Sequence, residues 1–359
     1  MTSDRSSPLR VGILGLGLVS TPHLDGYEQA DGCELAVVCD LSEEKVAAVS
    51  AARGVRGTTD PDAVIADPEI DAVALLLPHT IHHRFAKAAL EADKHVCVEK
   101  PITVTQAEAE ELIGLAGARG LTLAVAENTR YVSAYVEAER ILRAGTLGEV
   151  RSIRGFIPDQ ILDEWADVDD WTQAWKREPH GCGAIMDCAP HMLDLITWYF
   201  GEVERLQAFT QGWVPEIPLD NHGLIVGRMV DGPFFSLEFS SVTEYPRGER
   251  VEIYGSEGTL VIDQVLDPPV VLYRGSSDPK GTPIDSIPYD IDGWKPESIR
   301  ATALDFVDAV LADRDPGVTA PQSAYVVSLV ERAYRSAADG GRPIDGRPHD
   351  VDTAGDAAN

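Results

Sequence analysis

The apolar run Leu9 to Leu14 leads without interruption into Gly15-Leu16-Gly17-Leu18-Val19-Ser20, and this junction restricts the possible folds more than any other stretch. A short apolar run that stops at glycine reads as a buried strand. Two glycines one residue apart then allow a sharp reversal, and a helix is predicted from about Thr21 to Gln29. In a strand-turn-helix of this kind the first glycine permits the turn. The second lets the backbone approach a pyrophosphate, whose charge meets the helix N-terminus. Gly15 and Gly17 fit these roles, and Leu18 and Val19 complete the turn. The third small position is Ser20, where such fingerprints carry Gly or Ala. A second apolar strand, Cys33 to Cys39, ends in Asp40. A carboxylate there accepts hydrogen bonds from ribose hydroxyls and repels a 2′-phosphate. No arginine in Leu41-Ser42-Glu43 reverses that preference, so NAD is expected as cofactor in preference to NADP. The plainer reading of Asp40 is a solvated strand-end acid or a cap beside Ser42.

Strand and helix signals go on alternating. A helix is predicted near Glu43 to Ala52, a strand over Ala72 to Leu77, a helix near Ile81 to Ala92 and a strand over His95 to Val98. Thr105-Gln106-Ala107-Glu108 is a capping-box pattern that opens another helix, and a last strand is predicted over Leu121 to Ala126. Such alternation implies a parallel sheet, here an α/β domain of the Rossmann type over residues 1–128. Open α/β sheets bind ligands at the carboxyl ends of their strands. Pro78-His79-Thr80-Ile81-His82-His83 and Glu99-Lys100-Pro101 both fall on that edge. Pro78, His82, Glu99 and Lys100 are therefore expected to contact the cofactor, with His79 and His83 left unassigned.

A chain of 359 residues exceeds what one core usually supports. A second domain is expected over residues 129–340, with 341–359 and the first eight residues as loose tails. From Arg151 to Tyr273, runs such as Phe234 to Phe239 and Val251 to Tyr254 alternate in polarity. They predict an α+β domain with a largely antiparallel, open sheet. Two amphipathic helices, Glu297 to Ala312 and Gln322 to Ala338, should pack on the body. The net charge of −29 disfavours nucleic acid and anionic lipid as partners. No apolar run is long enough to span a bilayer and no signal peptide is visible, so a cytoplasmic location is expected. The five cysteines are too few and too irregular for a disulfide framework. Cys182, Cys188 and His191 could be read as metal ligands, but they lack a C-x-x-C element, and no metal is expected.

Several motifs stand in order along the chain: Gly15-Leu16-Gly17 followed by His23, Pro78 with His82, Glu99-Lys100-Pro101, Asn128-Thr129-Arg130-Tyr131, and Gly181-Cys182-Gly183-Ala184-Ile185-Met186-Asp187-Cys188-Ala189-Pro190-His191. Together they resemble the Gfo/Idh/MocA family, which includes glucose-fructose oxidoreductase and inositol dehydrogenase. The resemblance implies a hydride-transferring enzyme acting on sugars, inositols or related polyols. It places Lys100, Asp187 and His191 at the active site and implies a homodimer or homotetramer built on the open sheet. Ser20, and Cys182 where a third glycine is more usual, depart from the pattern without removing a reactive group.

Independently, Ala184 to Phe200 reads as a helix stopped by Gly201, so Asp187 and His191 share a face one turn apart. Oxidising a secondary alcohol needs a base and a group that steadies the developing alkoxide. The first assignment takes His191 as base, Lys100 as donor to the same oxygen and Asp187 as electrostatic support. In the alternative, a like charge on the nicotinamide lowers the pKa of Lys100, which becomes the base while His191 only binds substrate. Trp165, Trp171 and Trp175 among aspartates form either a substrate loop or a loop anchored by its aromatics. Trp171 and Tyr131 are the substrate candidates beside His191, and the same two readings apply to Tyr135. A glycosidase that retains NAD and oxidises transiently, and a dinucleotide-binding sensor without turnover, are the competing functions.

Overall fold

The computed structural model describes residues 7–158, 181, 183–214, 219–244, 248–275, 280–284, 290 and 293–348. The first part alternates β1 (Leu9–Leu14), α1 (Ser20–Gln29), β2 (Cys33–Cys39), α2 (Glu43–Arg53), β3 (Arg56–Thr58), α3 (Pro61–Ala66), β4 (Ala72–Leu75), α4 (His82–Glu91), β5 (His95–Glu99), α5 (Gln106–Arg119) and β6 (Leu123–Ala126). Its six strands are parallel, in the order β3-β2-β1-β4-β5-β6. The strand order reverses beside β1, which places the crevice above the glycine turn. The sheet is covered on both faces, which is why β4 and β6 are apolar at every position instead of alternating. Strand β3 and helix α3 carry no prediction above. Arg56-Gly57-Thr58 is short and polar, so apolar periodicity has nothing to register there. The capping box of α5 forms as its spacing requires.

After α6 (Ser133–Arg143) come β7 (Val150–Pro158), α7 (Ala184–Phe200), β8 (Val203–Gln211), β9 (His222–Met229), β10 (Phe234–Ser240), β11 (Arg250–Gly255), β12 (Thr259–Asp263), β13 (Val270–Tyr273) and β14 (Thr282–Pro283). With β15 (Ile344–Asp345) they form a nine-stranded sheet ordered β14-β13-β12-β11-β7-β10-β9-β8-β15. Every pairing is antiparallel except β7 with β10, which run parallel with Phe234 opposite Ser152. The sheet is therefore mixed at its centre. One face packs on α7, with Gly155 and Leu237 against Met192 and Gly223 against Ile185. The other face leaves Phe209 and Phe234 half exposed or more.

Two expectations about the C-terminal third need correction. The helices α8 (Trp294–Ala312) and α9 (Ala320–Ala338) do not belong to the second domain alone. Ala303, Phe306 and Val307 of α8 complete the core beneath α1 and β1, with Phe306 edge-on to Tyr27. Ala324 and Val327 of α9 pack with Leu112 and Ala116 of α5, whereas Val326, Leu329 and Val330 pack with α7. An apolar stripe predicts burial but does not say against what. Residues 341–348 are likewise not loose. Ile344 pairs with Leu206, Gly346 donates to the Glu204 carbonyl at 3.0 Å, and Tyr325 Oη donates to the Gly346 carbonyl at 3.0 Å. No helix among the described residues is long and apolar enough to cross a membrane.

Candidate active site

The glycine turn sits at the carboxyl end of β1. Gly15 has φ +103°, and a Cβ there would lie 2.2 Å from the Leu76 carbonyl oxygen, so only glycine fits. A Cβ on Gly17 would meet nothing within 4 Å, so the backbone there faces open space. Leu18 is 75% exposed. Val19 forms the N-cap of α1, whose first turn carries no acidic side chain, leaving the positive end of its dipole uncompensated. Ser20 closes the turn, its hydroxyl donating to the Gly17 carbonyl at 2.7 Å. Asp40 accepts from the Leu16 amide at 2.8 Å and the Ser42 amide at 2.9 Å, which fastens the turn to the end of β2.

Lys100 follows β5, and the peptide joining it to Pro101 is cis. Its Nζ donates to Asp187 Oδ1 at 2.8 Å and to the Asp187 carbonyl at 2.8 Å. Pro190 inside α7 removes a helical hydrogen bond from this same turn. Burial works against the Lys100 charge, but the facing carboxylate outweighs it and holds the ammonium above its usual range. Asp187 is correspondingly held below the usual carboxylate range: burial is overcome by Lys100, with the charges of His79 and His191 adding to the effect. Asp187 thus favours the ammonium form of Lys100.

His191, one turn along α7, turns its Nδ1 to Glu127 Oε1 at 2.7 Å, with Thr129 Oγ1 at 3.2 Å. Glu127 Oε1 also accepts from the Thr129 amide at 3.0 Å and hydroxyl at 2.7 Å. Burial would raise the Glu127 carboxyl, yet His191 and Thr129 together bring it below its usual range. Glu127 was not among the sequence-based candidates. Its signal was available, because it is the residue directly after β6, on the edge already holding Lys100.

Lys100, Asp187 and His191 therefore come together, as do Gly15, Gly17, Leu18, Val19 and Asp40 around the glycine turn. Pro78 opens the short helical turn after β4. Glu99 reaches back to α1, where its Oε1 lies 2.7 Å from His23 Nε2, and so ties β5 to the glycine-turn helix. Two side chains expected at the site are engaged by other partners. His82 is fully buried, with Nδ1 2.9 Å from the Pro101 carbonyl and Nε2 2.8 Å from the Leu77 carbonyl. Burial pushes its pKa down to about 4, and the ring supports the turns after β4 and β5 without facing the crevice. Tyr131 donates its hydroxyl to Asp305 of α8 at 2.8 Å, which ties the turn after β6 to that helix. Tyr135 is buried, with its hydroxyl on Glu249 at 2.8 Å. Trp165, Trp171, Trp175 and Cys182 lie outside the described residues. Among the described residues no group of three or more His, Cys, Asp or Glu is arranged to hold a metal.

A fold of this topology hosts many activities, so known proteins are needed to decide the family. Residues 9–127 match the oxidoreductase family with an NAD-binding Rossmann fold, and residues 135–261 match the Gfo/Idh/MocA C-terminal domain. The chain belongs to the Gfo/Idh/MocA oxidoreductase family. An uncharacterized oxidoreductase of Escherichia coli (strain K12), YdgJ, is 37% identical over 201 residues, covering 55% of this chain and 55% of that protein. The chain thus spans about half the length of this relative. The dTDP-3,4-didehydro-2,6-dideoxy-alpha-D-glucose 3-reductase of Streptomyces violaceoruber is 30% identical over 271 residues, covering 73% of this chain and 74% of that one. Among solved structures, a levoglucosan dehydrogenase in complex with NADH and levoglucosan superposes with a TM-score of 0.82. It is 23% identical, covers 95% of this chain and 100% of that one, and supports the fold.

Proposed function

We propose that the protein is an NAD-dependent dehydrogenase that moves a hydride between a secondary alcohol of a sugar, inositol or glycoside and nicotinamide. One observation carries the reading. Lys100 and Asp187, 87 residues apart, are joined at 2.8 Å, and His191 stands on the same helix one turn away. The cofactor reading is supported by the open backbone at Gly17, the uncompensated N-terminus of α1 and the carboxylate of Asp40 at the end of β2. The same carboxylate supports NAD over NADP, since it would repel a 2′-phosphate.

When bound, the dinucleotide supplies the hydride acceptor. Lys100 donates a hydrogen bond to the reacting hydroxyl oxygen and steadies it as the proton leaves. Nε2 of His191 takes that proton. Asp187 holds the ammonium in its charged form, which supports His191 as the base over Lys100. The sugar or polyol class is supported by the 3-reductase of a dTDP-sugar and the levoglucosan dehydrogenase among the similar proteins. Assembly into a homodimer or homotetramer through the open sheet face is supported by the exposed Phe209 and Phe234. A cytoplasmic location accords with this chemistry.

The test is a screen of inositols, aldoses and glycosides with NAD and NADP, followed by absorbance of the reduced cofactor. Turnover with at least one polyol and NAD is expected. Silence across the panel would sink the reading, and glycoside cleavage without net NADH would replace it with the retaining glycosidase.

A further inference from the structure

We infer that Glu127 is a positioning residue that fixes the tautomer of His191 and holds the imidazolium formed in turnover. The inference rests on the dehydrogenase reading and adds to it a residue outside the Lys100, Asp187 and His191 trio. Its carboxylate, only 4% exposed, is locked by two hydrogen bonds from Thr129 to the same oxygen that faces His191 Nδ1 at 2.7 Å. An ionised carboxylate can only accept, so Nδ1 must carry the hydrogen of the neutral ring. The lone pair is then on Nε2, which no described residue engages, and the ring keeps 16% of its side-chain surface open.

The other charges nearby do not substitute for Glu127. From the turn after β5, Lys100 is paired with Asp187. From α7, Asp194 is taken by Arg130 through two bonds of 2.7 Å. His79, from the turn after β4, acts on Asp187. Glu127 alone among these carboxylates touches the imidazole. In the oxidation the hydroxyl O–H bond breaks and an Nε2–H bond forms, while the C–H electron pair leaves as hydride to the nicotinamide. The ring becomes a cation, and Glu127 keeps both its charge and its bond to Nδ1–H. This orientation follows the general role of a buried carboxylate behind a histidine base.

The first experiment needs no variant: 15N NMR of histidine-labelled protein reads which ring nitrogen of His191 carries hydrogen near neutral pH. Hydrogen on Nδ1 is expected; hydrogen on Nε2 alone overturns the inference whether or not any alcohol turns over. The second uses Glu127→Gln, which keeps volume and an acceptor but removes the charge. With the best alcohol of the screen, kcat is expected to fall about 10- to 100-fold while KM changes little. The acidic limb of the kcat/KM profile is expected to move down by about one pH unit. An unchanged limb with unchanged kcat overturns the inference. Absence of turnover in the wild type refutes only the dehydrogenase reading and leaves the NMR result decisive.

Discussion

Helix α7 carries two aspartates two turns apart, each paired with a cation from elsewhere in the chain, and the two pairs behave differently. Asp187 meets Lys100 at 2.8 Å with side chains 27% and 17% exposed. Asp194 meets Arg130 through two bonds of 2.7 Å with side chains 2% and 7% exposed. The planar guanidinium fits both carboxylate oxygens, is braced by Gln322 Oε1 at 3.1 Å, and lies over Trp198. It is a clamp between the end of β6, α7 and α9. The ammonium is a point charge that grips one carboxylate oxygen and one carbonyl. Along one helix, then, the change from Lys to Arg and the loss of exposure separate the proposed catalytic pair from a buried joint between elements.

Removing each cation should expose that difference. Lys100→Met is expected to lower kcat/KM by about 10²- to 10⁴-fold. Thermal stability near neutral pH should fall, but by less than in Arg130→Ala, because Asp187 loses the partner that keeps it ionised yet retains some access to water. Loss of the fold would show that both pairs are structural. Arg130→Ala should cost about 3–5 kcal/mol in a denaturant titration because Asp194 is left buried and unpaired. A loss below about 1 kcal/mol would put this pair in the class of surface ion pairs. The exchange of cations is a finer test. Arg130→Lys keeps the charge but not the fork, and about 1–2 kcal/mol should be lost, the scale of a single charged hydrogen bond. Full stability in that variant would show that geometry at Asp194 is unimportant.

The same contrast explains what was legible in the sequence. The glycine turn, the alternation of β1 to β6 and the four-residue spacing of Asp187 and His191 are local patterns, and local patterns survive in one dimension. The position of Lys100 followed from the rule that ligands gather at the carboxyl ends of parallel strands. That rule names an edge but not a side-chain direction. His82 obeys it in backbone position, yet its ring turns inward to two carbonyls, and Tyr131 turns outward to Asp305. Glu127 escaped notice because its meaning depends on His191, 64 residues further on. The clamp of Arg130 and Asp194 spans the same separation. The placement of α8 and α9 was hidden for a related reason, since an apolar stripe does not identify its partner.

The remaining contrast is one of sign with pH. Asp187 has its folded carboxyl held below the unfolded value by Lys100, so its stabilisation is present above about pH 4 and is lost as pH falls further. Asp194 is the opposite. Burial, only partly offset by Arg130, raises its carboxyl to about 6. The folded state then holds a proton between about pH 4 and 6 that the unfolded chain has released. Its contribution is complete below about pH 4 and declines as pH rises towards 6, after which the ionised clamp remains. Denaturant titrations from pH 3 to 7 should therefore separate the two residues. Asp187→Asn should flatten the acid side of the stability curve, and Asp194→Asn should remove the decline between about pH 4 and 6 while lowering stability at pH 7. If Asp194→Asn left the slope in that window unchanged, the guanidinium would have to hold its carboxylate ionised throughout, and the two pairs would differ in geometry but not in electrostatics.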